Sequence, residues 1–295
     1  MRHASALLVL FAALAAMPAA GEPAPAPPAT PDIVVTGKTE PPPAPKDVYD
    51  QARDITRVPP NKLYEVALPR FAAPLCPGVL GLTTRMGQAM ADRMRADVAR
   101  VHLRLAPPGC SPNLLVAFVD KGQATLSELL AHHPGLFSQV AESEQQELLS
   151  EDSPVHVWNN IAIRWTGAGR PPPGWPKEKA SVWGQLNRMS MPEAYDIRAT
   201  LVLFDREAVL GMSLAQLADY ATMRGLTHTR PPPSADQPMA TILALFAGDR
   251  DKAPGELTRF DIAYLRGLYS EAANDSAVSK LLAVRREAKK DEAKD

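Results

Sequence analysis

The sequence S-L-A-Q-L-A-D-Y-A-T-M-R-G-L, at residues 213–226, carries the clearest structural signal in the chain. Its apolar residues recur at i, i+3, i+4 and i+7, so the segment can bury one face as a helix. The residues of this repeat are Leu214, Leu217, Ala218 and Ala221. Ser213 and Gln216 have the spacing of a capping box, which predicts where the helix begins. Gly225 is placed to end it in a left-handed conformation.

Two further segments follow this predicted helix. The first is P-M-A-T-I-L-A-L-F at residues 238–246, and the second is L-T-R-F-D-I-A-Y-L-R-G-L-Y at residues 257–269. Thr258 and Asp261 have the spacing of a second helix start. Apolar residues at helical spacing follow them, which predicts a closing helix.

In this order, the three segments resemble the catalytic half of a metzincin-type zinc protease. That family has an active-site helix H-E-x-x-H-x-x-G-x-x-H, a methionine turn and a closing helix. Aligning Gly225 with the motif's glycine places Ala218 and Thr222 at the first two histidine positions. Asp219 then falls at the position of the general-base glutamate, and His228 at the third histidine.

The resemblance implies a zincin-like scaffold without its usual chemistry. Met239 takes the position of the methionine turn, and residues 257–269 that of the closing helix. A catalytic zinc needs three protein ligands and an open position for water. Because only His228 keeps a family ligand, we do not expect hydrolysis by the usual mechanism. The chain is also similar to a group of uncharacterised secreted proteobacterial proteins that keep this helix without the full zinc motif.

The beginning of the chain predicts an export signal followed by a tether. Arg2 and His3 precede a short apolar run, and small residues follow it, which is typical of a secretory signal peptide at residues 1–21. We therefore expect a periplasmic or secreted protein without a transmembrane segment in the mature chain. Residues 22–60 contain eleven prolines, which predicts a disordered, extended tether.

An apolar segment, D-I-V-V-T-G, interrupts this tether at residues 32–37. It resembles the opening of the plug domain in TonB-dependent outer-membrane receptors. The resemblance implies an accessory role in TonB-linked transport, with a short strand that docks onto a partner's sheet edge. The alternative is an apolar patch within a linker.

The remaining sequence predicts one α+β domain at residues 61–270, with a mixed sheet of four or five strands packed against several helices. The strongest strand signals are at residues 113–119, 154–165 and 197–204. Residues 271–295 are polar and charged, which predicts a partly helical, solvated tail.

Cys76 and Cys110 are the two cysteines of the chain. In an oxidising compartment, such a pair is most simply a disulfide. Closing the loop between them would stabilise the fold by about 4 kcal/mol in a chain-entropy estimate. The alternative, a redox or metal-binding pair, lacks a C-x-x-C spacing and further thiolates.

Five residues are candidates for binding: Trp175, Trp183, Asp219, Tyr220 and His228. Trp175 lies in a proline-rich loop at residues 170–176 and Trp183 follows it, and this region is either a recognition surface or a lid on the domain's own groove. Asp219 is also the candidate catalytic residue, and His228 the candidate metal ligand. If Asp219 is buried, it needs a partner, and we expect an arginine from another element, such as Arg164 or Arg198.

The formal net charge of −1 gives no support to nucleic-acid binding. The chain has no nucleophile elbow, Walker loop or dinucleotide fingerprint. Our first hypothesis is therefore a non-catalytic envelope protein, without a cofactor, that binds another protein or a peptide. The alternative is an active zinc peptidase in which a distant histidine joins Asp219 and His228 as ligands.

Overall fold

The computed structural model describes residues 45–151, 153–167, 190–232, 240–247 and 252–293, all within one compact unit. Its α-helices are α1 (Pro45–Ile55), α2 (Thr84–Arg100), α3 (Gly122–His132), α4 (Glu142–Ser150), α5 (Leu214–Leu226), α6 (Arg259–Ser270) and α7 (Ala277–Glu292). Its strands are β1 (Arg70–Phe71), β2 (Pro77–Leu80), β3 (Leu114–Val119), β4 (Val155–Trp165) and β5 (Glu193–Asp205). Short 3-10 turns occur at Pro60–Lys62, Pro134–Phe137 and Ile242–Phe246.

Strand β5 organises the sheet. It pairs in parallel with β3 along residues 200–205 and with the short β1 at Asp196 and Ile197. β2 continues the parallel part on the far side of β3. β4 lies antiparallel to β5, with an irregularity between Asn160 and Ile161. The predicted mixed sheet packed against helices is therefore confirmed.

Helix α5 packs on the sheet and on α2. The Ser213–Gln216 capping box is confirmed, because each side chain bonds the other residue's backbone N–H. The predicted role of Gly225 is wrong, since it lies inside the helix, which ends one residue later. A Cβ at Gly225 would overlap the buried side chain of Leu114. The glycine is needed for close packing on β3 and not for a left-handed turn.

The predicted tether extends too far, because residues 45–55 form α1. Val48, Ala52 and Ile55 lie on one face of this helix and are buried in the core. The spacing i, i+4, i+7 is that of an amphipathic helix, and a proline is tolerated in the first turn. Helix α1 packs against α7. The density of prolines had concealed this pattern.

The C-terminal residues also belong to the fold, which corrects the predicted solvated tail. Helix α7 buries Val278, Leu281 and Val284. It approaches α6 so closely that a Cβ at Gly267 would overlap the backbone of Val284. Lys280 is fully buried, and burial lowers its pKa to about 7. Apart from Lys280, the charged residues of α7 are exposed or half-buried, while its apolar residues contribute to the core.

The predicted disulfide between Cys76 and Cys110 is confirmed. It links the start of β2 to the loop that precedes β3. The second predicted capping box, Thr258 with Asp261, is confirmed at the start of α6. In the part of the chain that the structure describes, no helix has the length and apolar character to cross a membrane.

Candidate functional site

Asp219 is fully buried in the interface between α5 and α2. Its two carboxylate oxygens accept hydrogen bonds from Nε and Nη2 of Arg93, each at 2.7 Å. One of them also accepts from the backbone N–H of Leu257, at 2.7 Å. The expected partner was wrong, because Arg93 of α2 takes this role and Arg164 pairs with Asp196 instead. The arrangement joins α2, α5 and the segment that leads into α6.

A second buried carboxylate, Asp97, lies beside this ion pair. Its Oδ1 is 3.7 Å from Nε of Arg93. Burial and the neighbouring charge of Asp219 raise the pKa of Asp97. Asp97, Asp219 and the exposed Glu256 thus lie around one guanidinium, and the burial of Asp97 beside Asp219 favours its protonated form.

The side chains next to Asp219 on α5 also make contacts within the protein core. Thr222 Oγ1 donates to the carbonyl oxygen of Ala218, one turn earlier. The Tyr220 hydroxyl accepts from Nη1 of Arg224 at 3.1 Å, and its ring meets Phe246 edge-on with centroids 4.9 Å apart. Because Tyr220 and Asp219 are both 0% exposed, neither side chain can form the binding surface predicted for it.

These residues do not fit a catalytic zinc. Ala218 has no donor atom, the Thr222 hydroxyl donates to backbone, and both oxygens of Asp219 are bonded to Arg93. Across the described ranges, no group of three or more His, Cys, Asp or Glu side chains could hold a metal ion. We derive no reaction step through zinc.

His228 has different surroundings, although it follows α5 by only two residues. Its Nδ1 lies 3.2 Å from Oδ1 of Asn159 on β4. Asn159 Nδ2 donates to Thr200 Oγ1 at 2.8 Å, and this hydroxyl donates to the Gly225 carbonyl oxygen at 3.0 Å. Because the Asn159 amide nitrogen donates to Thr200, its Oδ1 faces His228 as an acceptor. This series of hydrogen bonds makes Nδ1 of His228 the protonated nitrogen and leaves Nε2 as an acceptor.

The ring of His228 is neutral at physiological pH. Burial lowers its pKa to about 3, and the positive charges of Arg57 and Arg224 act in the same direction. Glu144 Oε1 is 3.9 Å from Nδ1 of His228 and 3.9 Å from Nη1 of Arg57. Burial raises the pKa of Glu144. Arg57 is held by Glu147, whose Oε2 accepts at 2.9 Å.

A cavity of about 550 Å³ opens beside His228, and we call it the β4 groove. Its polar lining includes Arg57, Glu144 and His228. Its apolar lining comes from β4, β5 and the loops around them, and includes Val58, Val66, Val140, Ile161, Ile163 and Tyr195. Ile163 is 44% exposed, which is high for a large apolar side chain. The groove combines an apolar surface with a few convergent polar groups, as ligand sites do.

The edge of β4 that faces away from β5 runs along this groove. The Asp205 N–H donates to the Pro154 carbonyl, so even-numbered residues of β4 turn their backbone groups towards β5. Odd-numbered residues turn theirs outwards, since the direction alternates along a strand. The outward N–H of Ile161 donates to the Gln139 carbonyl oxygen. Among the described residues, the outward groups of Ile163 have no backbone partner.

Several predicted residues cannot be placed. Trp175, Trp183, Met239 and residues 32–37 lie outside the residues that the structure describes. Conversely, the groove contains Arg57 and Glu144, which the sequence had not singled out. Arg57 lay within the predicted tether, although the apolar spacing of α1 places it directly after a helix. Comparisons with family models, with curated proteins and with solved structures found no match to this chain.

Proposed function

We propose that this chain is a non-catalytic binding protein of the cell envelope whose β4 groove accepts an extended segment of another protein. One observation carries the proposal: an apolar groove lies along a sheet edge whose outward backbone groups at Ile163 have no backbone partner among the described residues. An extended peptide can add to such an edge as a further strand. Backbone hydrogen bonds then supply affinity, and the groove selects side chains.

The groove's lining defines the segment that it would accept. Ile161 and Ile163 are two residues apart on β4 and both line the groove, and Tyr195 lies opposite Ile163 on β5. A bound strand that alternates apolar and polar residues would place its apolar side chains against this surface. Neutral His228 would offer Nε2 as an acceptor for a hydrogen-bond donor of the ligand.

The surroundings of Asp219 support binding without catalysis. The carboxylate at the general-base position is committed to Arg93 and to the Leu257 N–H. A general base must be free to reach the proton that it abstracts. The disulfide is compatible with an oxidising compartment, which supports an envelope location as part of the proposal.

The proposal is tested by selecting peptides from a phage-displayed random library on the chain without residues 1–21. We expect enriched peptides with alternating apolar residues and micromolar affinity by fluorescence anisotropy. Ile163→Glu should weaken binding at least about tenfold, or about 1.4 kcal/mol. The matched control is Leu210→Glu, because Leu210 is 69% exposed and does not line the groove.

Two results would contradict the proposal. One is the absence of any enriched peptide that competes for the groove, and the other is equal binding by Ile163→Glu and Leu210→Glu. Cleavage of a selected peptide that requires added zinc would instead favour the peptidase hypothesis. Intact recovery of the peptide, with and without zinc, is the expected outcome.

A further inference from the structure

A second cavity, of about 340 Å³, lies where β1 and β5 begin, and we call it the arginine pocket. Its charged and titratable lining consists of Arg70, Arg104, Arg164, His102, Asp196 and Tyr269. It shares no lining residue with the β4 groove. Three guanidinium groups therefore face a cavity that contains one carboxylate.

That carboxylate is already neutralised. Asp196 is buried, and its two oxygens accept from Nε and Nη2 of Arg164 at 2.6 and 3.0 Å. This is a bidentate pair, the strong form of an arginine–carboxylate contact. The pair fixes one wall of the pocket, and among the described residues neither Arg70 nor Arg104 forms a direct ion pair, although Asp196 and Asp275 act on the charge of Arg70 from a distance.

Arg70 is half-buried and points one nitrogen at the end of α6. Its Nη1 donates to the carbonyl oxygens of Tyr269 and Glu271, at 3.2 and 2.8 Å. Among the described residues, no carboxylate oxygen lies within 4 Å of its guanidinium, and Nε and Nη2 have no acceptor. Burial lowers the pKa of Arg70. A partly desolvated cation without a counterion favours an anion in the adjacent space.

Arg104 is presented by a well-fixed loop. Its carbonyl oxygen accepts from the Leu75 N–H at 2.8 Å, and the Leu75 carbonyl accepts from the Ala106 N–H at 2.8 Å. His102 precedes it with φ of 59°, a left-handed conformation that is unfavourable for a residue with a Cβ. The loop thus fixes the backbone of Arg104 and His102 at the pocket, so that only their exposed side chains need to order when a ligand binds.

A further basic group, the ammonium of Lys280, lies behind the residues that line the pocket. Lys280 Nζ donates to the carbonyl oxygens of Ala273, which lines the pocket, and of Leu68, at 2.7 and 3.0 Å. No carboxylate bonds this ammonium group among the described residues. Burial lowers its pKa to about 7, and Asp275, Asp196 and Glu271 act on it in the opposite direction, so the positive charge of the pocket near neutral pH comes mainly from its arginines.

We propose that the arginine pocket binds a small organic anion through a carboxylate or phosphate group. Guanidinium forks match the oxygens of both groups. The apolar part of such a ligand would contact Phe71, Leu75 and Leu103, which complete the lining. The volume is within the range of small-molecule sites and exceeds what the anionic group alone would fill.

The test is isothermal titration of the full chain with succinate and, separately, with inorganic phosphate at constant ionic strength. We expect one of them to bind in the millimolar range or tighter, and the preferred anion identifies the group. Arg104→Gln should weaken that binding at least about fivefold, since Arg104 is exposed and its loss should not disturb the fold. Arg85→Gln is the charge-matched control, because Arg85 is exposed and does not line the pocket.

Lack of binding by both anions would overturn the proposal. So would equal weakening by Arg104→Gln and Arg85→Gln, because it would indicate only a general effect of net charge. Ile163→Glu should leave the anion affinity unchanged, so the outcome is independent of peptide binding in the β4 groove.

Discussion

Asp219 and His228 lie nine positions apart in the chain, yet their surroundings are opposite. Asp219 is fully buried, and its oxygens are matched by Arg93 and the Leu257 N–H. Among the described residues, the His228 ring is bonded at Nδ1 only, and it lines an open groove. The comparison separates two roles, because a fully bonded polar group stabilises a fold, whereas a partly bonded one beside a cavity can still bind a ligand.

The largest effect should come from removing the buried carboxylate. We expect Asp219→Ala to lower the free energy of unfolding by about 3 kcal/mol, because it breaks a buried ion pair and leaves the Leu257 N–H without its acceptor. Chemical denaturation would measure this. Asp92→Ala on α2 is the control, since Asp92 is exposed and bonds only Gln88 among the described residues. Equal stability of the two variants would refute the structural role.

The next effect concerns the close packing of α5 against the sheet. Gly225→Ala should cost about 2 kcal/mol, because the new methyl group overlaps the side chain of Leu114, which is fully buried in the core and must shift. In Gly87→Ala, the added Cβ would come no nearer than 3.8 Å to a neighbour. That variant of α2 should gain up to about 1 kcal/mol from helix propensity. Thermal unfolding distinguishes the pair, and a neutral Gly225→Ala would contradict the close contact.

A smaller effect should appear as a pH dependence. The pKa of Asp97 is raised in the folded chain, so the unfolded state loses this proton first as pH rises. Stability should therefore decrease as pH rises above about 4 towards the raised pKa, by up to about 1.4 kcal/mol per pH unit. Asp97→Asn should flatten this decrease, and Asp92→Asn should not. Denaturation at several pH values tests the sign, and an unchanged slope in Asp97→Asn would contradict it.

The smallest effect at neutral pH is expected for His228→Gln. The pKa of His228 is lowered to about 3, so the folded state takes up its proton later than the unfolded state does as pH falls. Its contribution to stability is constant above pH 6.5 and is lost as pH falls from about 6.5 towards 3. At pH 7, we expect a change of about 1 kcal/mol from the hydrogen bond to Asn159. A stability loss as large as that of Asp219→Ala would remove the distinction between the two residues.

Much of the fold could be predicted from local patterns. The capping boxes at Ser213 and Thr258 specify helix starts through backbone bonds within one turn, and both occur as expected. The apolar runs of β3 and β5 likewise specify buried strands. The cysteine pair was predictable because a disulfide needs no knowledge of the sheet order.

The site was less predictable, because its contacts are distant in sequence. Asp219 bonds Arg93, which is 126 residues away in the sequence. The local sequence pattern around either residue does not predict this pairing. Helix α1 and the burial of the predicted C-terminal helix α7 were missed for another reason, since prolines and charges outweighed the apolar residues that form one face of each. The groove depends on Arg57 and Glu144, which become neighbours of His228 only after folding.

The central claim is that ligand binding occurs at the β4 edge and not at Asp219. It is tested most directly by amide hydrogen exchange at Ile163, followed by NMR with and without a selected peptide. If a strand adds to β4, the outward N–H of Ile163 gains an acceptor, and its exchange should slow at least about tenfold. Unchanged exchange at Ile163 in the saturated complex would contradict the account.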